Sequence, residues 1–161
     1  MQDMLVRLYD LPQGEPMRAA LAGQGVNVRR CNPFETHALI QWVGFTFSSR
    51  WESECAAAMA HQPAGCIIAT CNRAVVGFCC WDATARGFIG PMGVDPKFRG
   101  KRIGEAVLVT ALEQMRAFGY AYAVIGGVGP AEFYSKCVGA IPIPGSDPGI
   151  YADILPEPSR S

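Results

Sequence analysis

The chain has 161 residues and a mass of 17.3 kDa. That is the size of one domain, able to bury about 68–70% of its unfolded surface with no disulfide or metal. Hydrophobic residues make up 50% and charged residues 17%, which excludes a disordered or solvating chain. Lys+Arg and Asp+Glu both number 14, and a net charge of zero argues against a general nucleic-acid partner. No apolar run approaches the roughly 20 residues of a membrane span. Met1 to Leu11 carries Asp3, Arg7 and Asp10 in place of a signal-peptide core. The seven cysteines form no C-x-x-C pair. They read as reduced core thiols of a cytoplasmic protein, with no metal site expected.

Residues 1–24 read as an N-terminal appendage: a strand over Leu5–Tyr9, a stop at Pro12-Gln13-Gly14, then a helix over Pro16–Ala22 closed by Gly23. A domain over 25–155 follows. Val26–Arg30 alternates and predicts a strand. Asn32-Pro33-Phe34-Glu35 predicts a helix start, with an N-cap, a proline at the first position and an acid three residues on. A second helix runs over Ser49–Ala60, with Trp51, Cys55 and Met59 as its buried stripe. Gly65–Thr70 and Ala74–Trp81 predict a hairpin, with Cys79 and Cys80 facing opposite sides of the sheet.

Gly87–Val94, the fourth strand of this domain, is interrupted by Gly90, Pro91 and Gly93 and is expected to bulge or splay from a neighbour. The clearest helix starts at Ile103. Val107, Leu108, Ala111, Leu112 and Met115 continue its stripe, and Gly119 ends it. The apolar run Ala121–Ile125 predicts a central strand buried on both faces. A short helix over Pro130–Cys137 and two strands, Ala140–Ile143 and Gly149–Leu155, complete the domain before a tail at 156–161. The order predicts a mixed α/β fold with helices packed on a central sheet.

The segment Val94-Asp95-Pro96-Lys97-Phe98-Arg99-Gly100-Lys101-Arg102-Ile103-Gly104 joins the interrupted strand to the strong helix. Lys97, Arg99, Lys101 and Arg102 concentrate positive charge there. Gly100 and Gly104 admit close approach to the backbone, and the helix start adds unpaired N–H groups. These features point to a phosphate or pyrophosphate site. The loop is neither a Walker loop nor G-x-G-x-x-G.

Arg99 to Gly104, after Val94-Asp95-Pro96, resembles the acyl-CoA pyrophosphate loop of the GNAT superfamily of N-acetyltransferases, Arg/Gln-x-x-Gly-x-Gly/Ala. Arg102 stands where that loop has its first glycine. Pro130 to Ala140 resembles a second family motif, Ala-x-x-Phe-Tyr-x-Lys-x-Gly-Ala/Phe. The resemblance implies a GNAT-type fold, with a mixed, mostly antiparallel sheet of six to seven strands splayed at the fourth and helices on both faces. It also implies acetyl-CoA as donor and direct attack by a small-molecule amine.

Met92, Gly93, Val94, Arg99–Gly104, Phe133 and Lys136 would hold acetyl-CoA, and Tyr134 would be the acid for the leaving thiolate. A backbone N–H on the splayed strand would polarise the acetyl carbonyl. Phe45, Phe47, Trp51, Trp81 and Tyr151 are the expected walls of the acceptor pocket. No ionisable residue lies on Phe88–Val94, so a base must come from elsewhere, with Glu52, Glu54, Asp82 and Asp153 as candidates. An acceptor of low pKa, such as an amino sugar or amino acid, would need least help. Two other readings stand beside this one: a non-catalytic acyl-CoA-binding domain, and a basic nucleic-acid or phosphopeptide module. The low charge and apolar N-terminal strand suggest a homodimer.

Overall fold

A computed structural model describes residues 1–159. Residues 160–161 of the expected tail lie outside the described residues. The strands are β1 (Met4–Arg7), β2 (Val26–Arg30), β3 (Cys66–Cys71), β4 (Ala74–Trp81), β5 (Phe88–Val94), β6 (Tyr122–Ile125) and β7 (Ile141–Pro142). The helices are α1 (Gly14–Ala22), α2 (Thr36–Thr46), α3 (Ser49–Met59), α4 (Ile103–Ala117) and α5 (Ala131–Val138). One seven-stranded sheet has the order β2-β3-β4-β5-β6-β1-β7. Every pairing is antiparallel except β5–β6.

The period-two pattern of the strands divides the molecule into two cores. On β3 and β4, Ile67, Ala69, Cys79 and Trp81 face α4, whereas Cys66, Ile68, Phe78 and Cys80 face α2 and α3. Cys79 and Cys80 do lie on opposite faces. The predicted stripe of α4 is buried throughout. Ala106, Val109 and Thr110 are buried as well, because α1 covers the outer side of α4. Glu113 ties the two helices together: its Oε1 accepts from the Gly14 backbone N–H at 2.8 Å, and its Oε2 pairs with Arg18 at 2.9 Å. A carboxylate at a helix start is favoured by the unpaired N–H groups there.

Residues 1–24 are therefore not peripheral. β1 sits between β6 and β7, pairing with both. With that seat taken, no strand forms over Gly149–Leu155. A 3-10 turn at Gly149–Tyr151 stands there instead. The strand expected at Ala140–Ile143 shrinks to Ile141–Pro142, and the one at Leu5–Tyr9 stops at Arg7, where a 3-10 turn begins.

β6 is interior to the sheet but buried on one face only. Ala123 and Ile125 are buried, while Tyr122 is exposed against Tyr9. The capping box at Asn32 and Glu35 forms as expected, yet it caps a 3-10 turn over Pro33–Glu35, and α2 starts at Thr36. Glu35 is occupied twice: it accepts from the Asn32 N–H and from both terminal nitrogens of Arg29, at 2.7 and 2.8 Å.

Candidate functional site

β5 leaves its neighbour early. It pairs with β6 only at Phe88 and Ile89, so from Gly90 to Val94 the edge facing β6 has no strand partner. On its other side, the register slips between Cys79↔Met92 and Trp81↔Ile89, so β5 carries one extra residue there. The extra residue falls at Gly90-Pro91, as proline and glycine in a strand lead one to expect. The result is a V-shaped gap between β5 and β6.

The cationic loop lies at the end of β5. Asp95 Oδ1 accepts from the Lys97 N–H at 2.9 Å and caps the turn Pro96–Phe98. Arg99 Nε donates to the Val94 carbonyl at 3.4 Å. Gly100 (φ +80) and Arg102 (φ +64) are both left-handed, and Arg102 is the N-cap of α4. An L-residue there costs about 1–2 kcal/mol that glycine would not. Arg102 accepts the strain with a partner: its Nη2 lies 2.8 Å from Glu105. Lys101 Nζ sits 5.2 Å from the centre of the Phe98 ring.

One turn into the site, three predicted residues converge on Gly104. A Cβ there would stand 3.5 Å from Val94, 3.7 Å from Phe133 and 3.8 Å from Met92. These residues form a cradle under the first turn of α4, whose N–H groups face the loop. Lys136 is not drawn in. It is exposed and pairs with Glu132 at 2.9 Å.

Tyr134 points inward from α5 and is 9% exposed. Burial raises its pKa well above the ordinary 10, with Cys79 and Cys137 nearby adding to the effect. Its hydroxyl therefore holds its proton throughout the neutral range. Its ring packs edge-on against Phe133, with centroids 5.1 Å apart.

The walls proposed for an acceptor pocket divide. Phe47 lies over Gly93 so closely that a Cβ there has no room. It joins Trp42, Trp51 and Phe78 in one aromatic cluster. Trp51 is thus on the β5 face. Tyr151 is too: its ring lies on Gly126 and Gly127, at the end of β6, with Phe88 beside it. Burial first, then the charges of Asp3 and Glu54, raises its pKa.

Phe45 and Trp81 do not belong to this wall. Phe45 is 88% exposed and lines an open groove of about 860 Å³ between α2 and α3, with Ala38, Gln41, Trp42, Gly44, Ser49 and Glu52. No residue of β5 or of the cationic loop borders that groove. Trp81 is 3% exposed in the α4 core, under the guanidinium of Arg30. Helical and strand periodicity could not separate these aromatics from pocket walls.

The four candidate bases also separate. Glu52 packs against Gly44 on the outer groove. Asp82 accepts from Tyr120 at 2.6 Å and from the Gly87 N–H at 2.7 Å in the β4–β5 turn. Asp153 is exposed. Glu54 accepts from Thr84, which lies between β4 and β5, and its charge helps to raise the Tyr151 pKa.

One residue escaped the sequence reading. Asp3, 7% exposed, accepts from the Gly127 N–H at 2.8 Å, while its own N–H donates to Ser146 at 2.8 Å. It fixes both loops that border the end of β6. No motif marks it; only its place just ahead of β1 does. Residues 155 and 157 reach α3 through Arg50, which donates to the Leu155 carbonyl at 2.6 Å and pairs with Glu157 at 3.9 Å.

Residues 36–139 match the model of the acetyltransferase (GNAT) family. Among curated proteins none matches the sequence.

Among the solved structures that share the fold is a region of a fungal multi-domain GH3 β-N-acetylglucosaminidase, described as a GCN5-related glucosamine N-acetyltransferase. It is 17% identical, with a TM-score of 0.71 over 88% of this chain and 19% of that one. A GCN5-related N-acetyltransferase from Sphaerobacter thermophilus is 21% identical, with a TM-score of 0.66 over 88% of this chain and 48% of that one. A GNAT family acetyltransferase from Brucella melitensis in complex with acetyl-CoA is 16% identical, with a TM-score of 0.54 over 83% and 93%. The chain thus spans well under two thirds of the first two.

Proposed function

The chain belongs to the GNAT acetyltransferase family, and from that premise we propose that it transfers the acetyl group of acetyl-CoA to a small primary amine by direct attack within a ternary complex. The observation that carries this reading is the joining of the cationic, left-handed loop Arg99–Gly104 to the gap between β5 and β6.

The residues suit the donor. The N–H groups at the start of α4, with Lys97, Arg99, Lys101 and Arg102, would hold the pyrophosphate. Gly104, in its cradle of Met92, Val94 and Phe133, leaves the backbone open to it. The unpaired edge of β5 would hydrogen-bond the extended arm as an added half-strand, and one of its N–H groups would polarise the acetyl carbonyl. Tyr134 keeps its proton for the departing thiolate. In a buried site that thiolate also favours its neutral form, which offsets the rise in the pKa of the phenol.

The acceptor would enter from the α3 side, between Trp51, Tyr151 and the turn at Gly126-Gly127. Glu54 offers an ammonium a place to dock. Because β5 carries no carboxylate, the amine should deprotonate readily. An amine near pKa 7.7–8.0 costs under about 1 kcal/mol at pH 7.4, whereas a lysine-like amine near 10.4 costs about 4 kcal/mol. Amino sugars and amino acids are the first acceptors to test. The same empty β5 face supports the second reading, a non-catalytic acyl-CoA-binding domain, and turnover with any amine decides between them. The proposal extends to a cytoplasmic homodimer, which sedimentation of the purified protein would test. Among the described residues no helix is long and apolar enough to cross a membrane.

The test is isothermal titration with acetyl-CoA, for the wild type and for Arg99→Ala, followed by an amine panel. We expect binding that weakens about tenfold in the variant, as for loss of one charge-assisted contact. No binding to the wild type would overturn the reading. A strong preference for polyamines or lysine side chains would overturn the low-pKa acceptor.

A further inference from the structure

Three buried sulfurs converge at a point that acetyl transfer leaves unused. Cys55 on α3, Cys66 at the start of β3 and Cys80 on β4 have no solvent exposure, and their Sγ atoms all lie within 4.8 Å of one another. Cys66 and Cys80 are direct cross-strand partners. Cys55 reaches them from the helix, and the Cys66 thiol donates to the Ile67 carbonyl at 3.5 Å. All three are free thiols. Around them lie Leu39, Val43, Ala58, Met59, Ile68 and Phe78. Serving as small hydrophobes would not require the three to meet. The sequence conceals the group, because the residues stand 11 and 14 positions apart on three different elements.

We propose that Cys55, Cys66 and Cys80 form a closed three-coordinate site for a soft monovalent d¹⁰ cation, Cu(I). Thiolate sulfur selects soft ions. Structural zinc takes four ligands, and the cluster among the described residues offers three. At a metal–sulfur length of about 2.3 Å, three sulfurs in a plane around an ion stand about 4.0 Å apart. The observed spread needs a contraction of less than about 1 Å to reach that. Charge sets the protonation. With two thiolates and one retained thiol, the site carries a net charge of −1, less than three thiolates would, and a buried charge is costly. Each Cu(I) therefore displaces two protons from three thiols, with no change of oxidation state. α3 must lift from the sheet for loading. Once loaded, the ion pins to β3 and β4 the helix that also carries Trp51 and Glu54.

The test is an anaerobic titration of the reduced full chain with Cu(I), supplied as its acetonitrile complex against the chelator bicinchoninate. The expected result is one Cu(I) per chain, a near-ultraviolet sulfur-to-copper band, release of two protons, and a higher melting temperature. Cys66→Ser and Cys80→Ser should each weaken uptake at least tenfold, and Cys71→Ser should leave it unchanged. Because a buried serine can prevent folding, alkylation of the wild type with and without copper, in denaturant just sufficient to expose the three thiols of the copper-free chain, read by mass spectrometry, supplies an independent check. Copper must protect Cys55, Cys66 and Cys80 and leave Cys71 and Cys137 reactive. Chelator that retains the first equivalent, protection of Cys71 or Cys137 instead, or a Cys66–Cys80 disulfide in place of bound copper would each overturn the proposal. Acetyl-CoA titration is independent of all these outcomes.

Discussion

The two sides of the V are built differently. The proposed donor side is almost one continuous piece of chain: Met92 to Gly104 supplies a strand edge, a left-handed loop and a helix start, and α5 adds Phe133 and Tyr134. The proposed acceptor side is an assembly. α3 brings Trp51 and Glu54, β6 ends in Gly126-Gly127, Tyr151 comes from near the other end of the chain, and Asp3 holds the loops from the beginning of it. A pyrophosphate can be met by local features, namely backbone N–H groups, glycines and adjacent cations. An acceptor must be met by side chains that converge in space, and these need no fixed spacing in sequence. The donor side should therefore be robust and general, and the acceptor side particular to this chain.

The largest test of that contrast is Tyr134→Phe. It removes the proton source proposed above without disturbing the loop, so kcat should fall about 100-fold while affinity for acetyl-CoA stays within about twofold; steady-state kinetics beside titration reads both. Gly126→Ala comes next. A Cβ at Gly126 displaces the Tyr151 hydroxyl and crowds Phe88. The KM for the acceptor should rise about tenfold, and acetyl-CoA binding should be unchanged. Equal damage to both would mean that the two sides are not separable.

Glu35→Gln acts on the frame of the acceptor side, where α2 begins. Arg29 first, with the Asn32 N–H adding to it, holds the Glu35 carboxyl at about 2 rather than 4.5. A lowered folded-state pKa means stability that is present above about pH 4.5 and lost as the pH falls toward 2. For this partly exposed pair we expect about 1–2 kcal/mol, seen as a lower melting temperature at pH 7. The wild type should lose that advantage over the variant on acidification. The smallest effect belongs to Arg102→Gly. Relief of the left-handed strain, less the exposed pair with Glu105, should stabilise the free protein by about 0.5–1 kcal/mol, or about 2–4 °C of melting temperature at most.

Much of the fold was legible. α4 follows from its apolar period and its glycine stop, the β3–β4 hairpin from two short runs around a turn, and the splay of β5 from Gly90, Pro91 and Gly93. Local chemistry is enough for such features. Three readings failed for reasons beyond local chemistry. The segment 149–155 has the composition of a strand, but β1 already holds the place beside β6. Phe45 and Trp81 look alike on the page, yet one faces solvent and the other the α4 core. That Thr110 and Glu113 both meet Arg18 of α1 could not be read from the apolar period of α4 alone.

By itself, then, the sequence determined the cationic loop, the splayed strand beside it and the helix that opens at Ile103, since spacing along the chain sets local backbone geometry and charge. Tertiary structure alone decided which end of the chain completes the sheet, which aromatics face the gap, that Asp3 braces both loops, and that three distant thiols meet. Such pairings depend on which partner wins each exposed edge and face of the sheet, a competition settled among all the elements at once.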